Sequence, residues 1–196
     1  MQNFDRKKYF QSQSQSIKYF IKEEIDEILN STSSVRDHLI MDFMWRTGTR
    51  VSEMLAVRPI DIDKNLKTVK ISTLKQKTIY GSEKNPVRVI PLQEVFLEKL
   101  IQYIADNKIS SNDRLFLIGR KMVHLIVKKA CERVGFKDKR SHPHVFRHSF
   151  AIHCLLNKVP TDILQKLLGH KWLGTTMVYT HMAGIDTRPF MDALEF

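Results

Sequence analysis

Two arginines, a tyrosine and several histidines stand at spacings that could do phosphate chemistry. The stretch SHPHVFRHSF, residues 141–150, packs three histidines and an arginine into ten positions and runs on into the apolar AIHCLL. His144 and Arg147 lie three apart, so they share one face of a helix. Ser141 can cap that helix, and Pro143 suits its first turn. Beyond them Phe150, Ile152, Cys154, Leu155 and Leu156 make the helix apolar nearly all round. A guanidinium buried there without a partner costs several kcal/mol, roughly 3–5 by analogy with broken ion pairs. No acidic residue lies between positions 141 and 161. A phosphate is the anion that fits, because its oxygens match the planar fork of arginine donors.

Two further segments carry the same kind of chemistry. In TGTRVSEM, Arg50 follows a glycine break at the start of a short helix, with Glu53 three residues on. Glu53 can orient Arg50, or simply cap the helix as the last member of a capping box. In LLGHKWLGTTMVYTHM, His170 ends one helix, Thr175 and Thr176 open the next, and Tyr179 sits on it. A tyrosine on an amphipathic helix is ordinarily a packed aromatic. As a nucleophile its phenol, with a free pKa near ~10, needs a base or surrounding positive charge.

The elements that must position these residues are mainly helices. IKEEIDEILN spaces Ile21, Ile25 and Ile28/Leu29 by three and four. STSS offers N-caps for VRDHLIMDFMWRT, which Gly48 ends, and RVSEMLAV is a short helix stopped near Pro59. The period then changes to two. LKTVKIS alternates Leu66, Val69 and Ile71, and PVRVIPL alternates Val87 and Val89, which predicts an antiparallel pair joined by a polar loop. QEVFLEKLIQYIA, RKMVHLIVKKACERVGF, HPHVFRHSFAIHCLLN, PTDILQKLLGH and TTMVYTHM are helical again. The fold class expected is mainly α with a small antiparallel β-sheet, an α+β domain.

Composition narrows the partners. The 196 residues carry 32 Lys plus Arg against 21 Asp plus Glu, a formal net charge of +11. That excess suits a polyanion such as DNA or RNA, whose phosphates lysine and arginine neutralise with release of counterions. The two cysteines match no zinc spacing and fit a reducing interior. No apolar run approaches ~18 residues and no signal-peptide pattern opens the chain, so a cytoplasmic protein without a membrane partner is expected. His144 and His148 lie four apart, as zinc ligands can, but no acidic ligand accompanies them and no metal is expected. His148, His153 and His181 read as structural, and Trp45 and Trp172 as core. Arg120, Lys121, Lys128 and Lys129 surround an apolar stripe, either as a solvated basic face or as a helix that contacts a nucleic-acid backbone.

Taken in order, TGTRVSE, the lysine of STLKQK, HVFRH, LLGH and TTMVYTH resemble the tyrosine recombinases, the phage integrases and their relatives. Twenty-two residues separate Arg147 from His170, and eight separate His170 from Tyr179. The likeness runs over roughly residues 20 to 182. It implies the catalytic-domain fold of that family, the DNA breaking-rejoining enzyme fold. It also implies a site-specific recombinase or integrase that cuts and rejoins double-stranded DNA without metal or other cofactor.

By position, Arg50 and Arg147 are similar to the pair that clamps the scissile phosphate. Tyr179 is similar to the nucleophile that forms a 3′-phosphotyrosyl link and frees a 5′-hydroxyl. Lys75 resembles the hairpin lysine that acts as general acid, with Lys77 as a competitor. His144 resembles the histidine that helps to activate the tyrosine, and His170 the histidine-or-tryptophan position that donates to a phosphate oxygen. Glu53 is a supporting residue, and Lys77, Arg88, Arg120, Lys121 and Lys128 are candidate DNA contacts.

Residues 1–20 are expected to be a flexible arm or linker remnant and residues 21–183 the catalytic domain. Residues 184–196 are expected to be a tail exchanged between protomers of a homotetramer on paired sites, with a monomer in the absence of DNA. Family members carry an N-terminal DNA-clamping domain, so the short stretch before the match suggests a catalytic fragment or a clamp supplied otherwise. The alternative to a recombinase is a catalytically silent DNA-binding or architectural protein on the same scaffold.

Overall fold

The computed structural model describes residues 18–73, 86–136 and 140–183, and within the last helix it describes the side chains of residues 174–180. Helix α1 (Lys22–Asn30) turns Ile25, Ile28 and Leu29 into the core, and the Glu24 carboxylate accepts the Ile21 amide at its start. In α2 (Val35–Thr47), the Ser34 hydroxyl accepts the Asp37 amide. This helix is buried from Leu39 to Trp45, so it is the central rod of the domain. Gly48 ends it with φ +60°, a left-handed conformation that glycine adopts without a Cβ penalty. The short α3 (Val51–Met54) and a 3₁₀ turn (Pro59–Asp61) lead into the sheet.

Three antiparallel strands form that sheet in the order β1 (Ile62–Asp63), β2 (Thr68–Ser72), β3 (Val87–Pro91). Val69 lies opposite Ile90, and Ile71 opposite Arg88. Directly opposed residues share a face of the sheet, so the buried Val69 and Ile71 draw Ile90 and Arg88 inward. The expected alternation in this strand is therefore reversed: Val87 and Val89 are 58 % and 53 % exposed. Leu66 is likewise exposed and outside the strand, in a turn where Asp63 Oδ1 accepts the amides of Asn65 and Leu66.

The remaining helices are α4 (Glu94–Asp106), α5 (Arg120–Arg133), α6 (His144–Leu156), α7 (Thr161–Leu168) and α8 (Leu173–Ala183). Phe43 of α2 meets Phe96 of α4 and Phe116 edge-on, and α6 packs against α2, α7 and α8. Burying each of these rings contributes about 1.5–3 kcal/mol.

Three expectations about side chains are corrected. Ser141 does not cap α6, because its hydroxyl donates to the Phe136 carbonyl and Pro143 takes the cap position. Trp172 is 69 % exposed under the Lys171 ammonium, whereas Trp45 is core and packs on His153. Phe20, the last residue of the expected arm, is buried, and its amide donates to Ser149 Oγ. The rest of the arm to residue 17, the loop with Lys75 and Lys77, and the tail at 184–196 lie outside the described residues.

Candidate active site

Arg147 reaches the interior from the first turn of α6 and is 4 % exposed. Its Nη1 donates to the Gly48 carbonyl at 2.6 Å and its Nη2 to the Leu168 carbonyl at 2.8 Å. Gly48 and Leu168 lie at the C-terminal ends of α2 and α7, where unsatisfied carbonyls carry partial negative charge. Arginine burial is thus met by two helix ends, and the anion inferred from burial alone is not required to balance the guanidinium. Burial, then the charge of Arg50, lowers its pKa to about 10, so it stays charged at neutral pH.

Arg50 begins two residues after the carbonyl that Arg147 holds. Glu53, 2 % exposed, ties it down twice: Oε2 accepts the Arg50 amide at 3.0 Å and Oε1 accepts Arg50 Nη1 at 2.8 Å. Capping and orientation, alternatives in the sequence, are both realised. Glu53 Oε2 also accepts Arg88 Nη2 at 2.7 Å. Burial by itself would raise the Glu53 carboxyl, but the Arg88 hydrogen bond and charge, the Arg50 amide and the Arg50 charge together hold it below the ordinary carboxylate range.

Arg88, a candidate DNA contact from the sequence, points inward from β3 with its side chain 9 % exposed. Besides Glu53 it donates Nε to the Leu167 carbonyl at 2.8 Å and Nη1 to Thr73 Oγ1 at 3.2 Å. Arg88 and Arg147 therefore grip successive carbonyls at the end of α7. Arg88 also joins the base of the β2–β3 loop to the carboxylate that orients Arg50. The signal lay in the strand pattern, since Ile90 and Arg88 share a face and only one register buries Ile90 opposite Val69.

Gly169, with φ +66°, ends α7 and aims the chain at His170. His170 Nδ1 lies 2.9 Å from Thr176 Oγ1 on α8, so the threonine expected to open the helix also fixes this imidazole. The His170 ring lies parallel to the Tyr179 ring, 9° apart with centroids at 6.4 Å. Burial, then the charges of Arg147, Arg50 and Arg88, depresses His170 to a pKa of about 4.

Tyr179 is 5 % exposed, and its Oη lies 2.9 Å from Nδ1 of His148. Burial raises the phenol pKa, while Arg147 and Arg50 both pull it down. Both guanidinium groups are thus close enough to act on one phenol. His148, read from the sequence as structural, is a member of this site. Its place four residues after His144 put both on one helical face, and that spacing was the available clue. His144 is exposed at the first position of α6. Partial burial, then His142, Arg147, Arg50 and His124, lowers its pKa. His124 lies on α5 with Arg120, Lys121 and Lys128, all exposed and spaced by three and four, so this basic stripe adjoins the mouth of the site. Among the described residues no group of three or more His, Cys, Asp or Glu side chains could hold a metal ion. No helix there is long and apolar enough to cross a membrane.

Comparison with known proteins agrees with this architecture. A tyrosine recombinase of Pseudothermotoga lettingae is 36 % identical over 177 residues, which cover 88 % of the chain and 58 % of that protein. Tyrosine recombinase XerA of Pyrococcus horikoshii is 30 % identical over 188 residues, covering 91 % and 60 %. The chain thus spans somewhat over half the length of these curated relatives. Among solved structures, XerA recombinase superposes with TM-score 0.74 at 19 % identity, over 94 % of this chain and 68 % of that one. The catalytic domain of bacteriophage HP1 integrase gives 0.67 at 20 %, over 91 % and 95 %. XerH recombinase bound to its difH substrate in a pre-cleavage complex gives 0.72 at 21 %, over 89 % and 53 %. The family model for the phage integrase family matches residues 18–184, and the chain belongs to that family.

Proposed function

We propose that the chain is the catalytic portion of a site-specific DNA recombinase. Arg50 and Arg147 clamp one backbone phosphate, and Tyr179 Oη attacks its phosphorus in line. A 3′-phosphotyrosyl link forms as the bond to the 5′ oxygen breaks. The leaving oxygen takes a proton from Lys75 or, in its place, Lys77. The free 5′-hydroxyl of another strand reverses the step and rejoins the DNA. His144 stands at the phosphate and helps to activate Tyr179, while His170 donates to a phosphate oxygen.

The observation that carries this reading is geometric: the buried Tyr179 phenol is bonded to the residue next to Arg147, and the Arg147 guanidinium holds the carbonyl two residues before Arg50. Phosphoryl transfer spreads charge over equatorial oxygens, and donors fixed in advance supply most of the catalysis. Held cations can do this without a metal ion. Arg120, Lys121 and Lys128 extend the positive surface along α5 for backbone contact. Several strands must be joined, so we expect a homotetramer on paired sites, linked through residues 184–196.

A library of short duplexes, randomised around a nick in one strand, tests this. Cleavage just before the nick releases a short fragment and traps the protein on DNA. A covalent adduct stable to boiling in detergent, formed in EDTA and lost in Tyr179→Phe, is expected. An adduct that persists in Tyr179→Phe moves the nucleophile elsewhere. Cleavage that needs magnesium and leaves no adduct overturns the mechanism, and DNA binding without cleavage favours an architectural protein.

A further inference from the structure

The hydrogen bond at the Tyr179 phenol is made by a residue to which the proposed mechanism gives no role. His148 lies one turn beyond His144 on α6, and its Nδ1 meets Tyr179 Oη on α8 at 2.9 Å. The two ring centroids are 5.7 Å apart at 48°. Because the phenol is almost fully buried, this contact governs where its hydrogen can go. A neutral imidazole carries one N–H and one lone pair, so with the hydrogen on Nε2 the Nδ1 lone pair faces the phenol. The neighbouring His170 ring is committed to Thr176 through its own Nδ1.

We propose that His148 is the proton acceptor for Tyr179. This rests on the phosphotyrosyl reading above and reassigns the proton within it. As the Oη–P bond forms, the Oη–H bond breaks and the hydrogen passes to His148 Nδ1, leaving an imidazolium. The P–O5′ bond breaks in the same displacement, and O5′ is protonated separately by the hairpin lysine. On rejoining, the imidazolium returns its proton to Oη as the phosphotyrosine bond breaks. His144, exposed one turn earlier on α6, keeps its supporting part beside the phosphate.

The charge around His148 makes it a weak base in the free protein, so the proposal requires bound DNA to strengthen it. In the free protein, burial and then His144, His142 and Arg147 hold its pKa at about 4. The ring is therefore unprotonated and its lone pair available. The groups that weigh on it are Arg147, His144 and His142 from α6 and the segment before it, with the Tyr179 phenol from α8. A phosphodiester anion at Arg147 adds negative charge next to this cationic set, which strengthens the imidazole as a base when DNA is bound.

The test is single-turnover adduct formation on a nicked duplex recovered by wild-type protein from the randomised library. His148→Ala and His148→Asn are compared with wild type, with DNA binding measured in parallel. Asn offers a hydrogen bond near the Nδ1 position but is not a base. The expected result is adduct formation slowed about 100-fold or more in both variants, with DNA binding retained. In His148→Ala, added imidazoles should restore the rate in order of their basicity, a trend that a purely structural side chain would not produce. Near-wild-type cleavage by His148→Asn would mean that the imidazole only positions the phenol, and would overturn the proposal. So would near-wild-type cleavage by His148→Ala, or rescue that ignores basicity. If wild type forms no adduct, or Tyr179→Phe still forms one, the phosphotyrosyl reading itself fails and this assignment falls with it. Loss confined to His148 variants with wild-type adduct on Tyr179 separates the two.

Discussion

The arginine cradle and the tyrosine helix are built differently. Arg147 and Arg88 are buried and bonded to successive carbonyls at the end of α7, and Arg88 shares the buried carboxylate of Glu53 with Arg50. Four elements, α3, β3, α6 and α7, meet through these bonds. Tyr179, by contrast, is reached through two imidazoles, His148 at its hydroxyl and His170 across its ring, and α8 exposes Met177 and Val178 to solvent. The cradle is fixed by charge satisfied in the interior, where breaking one partner is costly. The Tyr179 side is fixed by neutral hydrogen bonds worth about 1 kcal/mol each. On the proposed reading, the phosphate-binding groups are the more strongly held and the attacking group the more weakly held.

The sharpest way to break the comparison is at Glu53. Glu53→Ala leaves Arg88 buried without its carboxylate and should cost about 3–5 kcal/mol in chemical denaturation. Adduct formation should fall as well, because Arg50 loses both its anchors. A loss of under about 1 kcal/mol, the value of an exposed pair, would show that the cradle is not held by buried charge.

Next comes Gly48→Ala. A Cβ there would lie 2.4 Å from Cδ1 of Phe150, in a left-handed backbone conformation. Overpacking of this kind costs about 1–3 kcal/mol, and it would shift the carbonyl that holds Arg147. A melt together with the adduct assay should show both losses. Stability lost with full activity retained would disconnect this carbonyl from the chemistry.

The smallest effect is expected on the tyrosine side. Thr176→Val keeps the shape but removes the partner of His170 Nδ1. About 1 kcal/mol of stability is expected to go, with a larger proportional loss in cleavage rate. Equal stability costs for Glu53→Ala and Thr176→Val would erase the contrast between cradle and helix.

Much of this was legible in the sequence because helices announce themselves by period and punctuation. Gly48 and Gly169 mark the ends of α2 and α7, and the buried faces of α1, α4 and α5 follow spacings of three and four. Arg147 was found because an arginine inside an apolar helix demands a partner. Its partners were not legible, since backbone carbonyls from residues 48 and 168 carry no signature in side-chain types. The inward face of β3 was misread as that of Val87 and Val89 because a period of two has two registers, and only pairing with β2 decides between them. His148 was assigned a structural role because its contact depends on how α8 folds back over α6, a tertiary fact that spacing alone does not contain. Lys75 and Lys77 lie outside the described residues, so the choice between them rests on sequence alone.

The central claim is convergence of Arg50, Arg147 and Tyr179 on one phosphorus. The most direct measurement is a crystal structure of the chain with cleaved DNA and orthovanadate, which bridges attacking and leaving oxygens in the geometry of the transition state. Vanadium bonded to Tyr179 Oη, with both guanidinium groups donating to its equatorial oxygens, is the predicted result. Vanadate held by another nucleophile, or Arg50 and Arg147 bound to different phosphates, would contradict it.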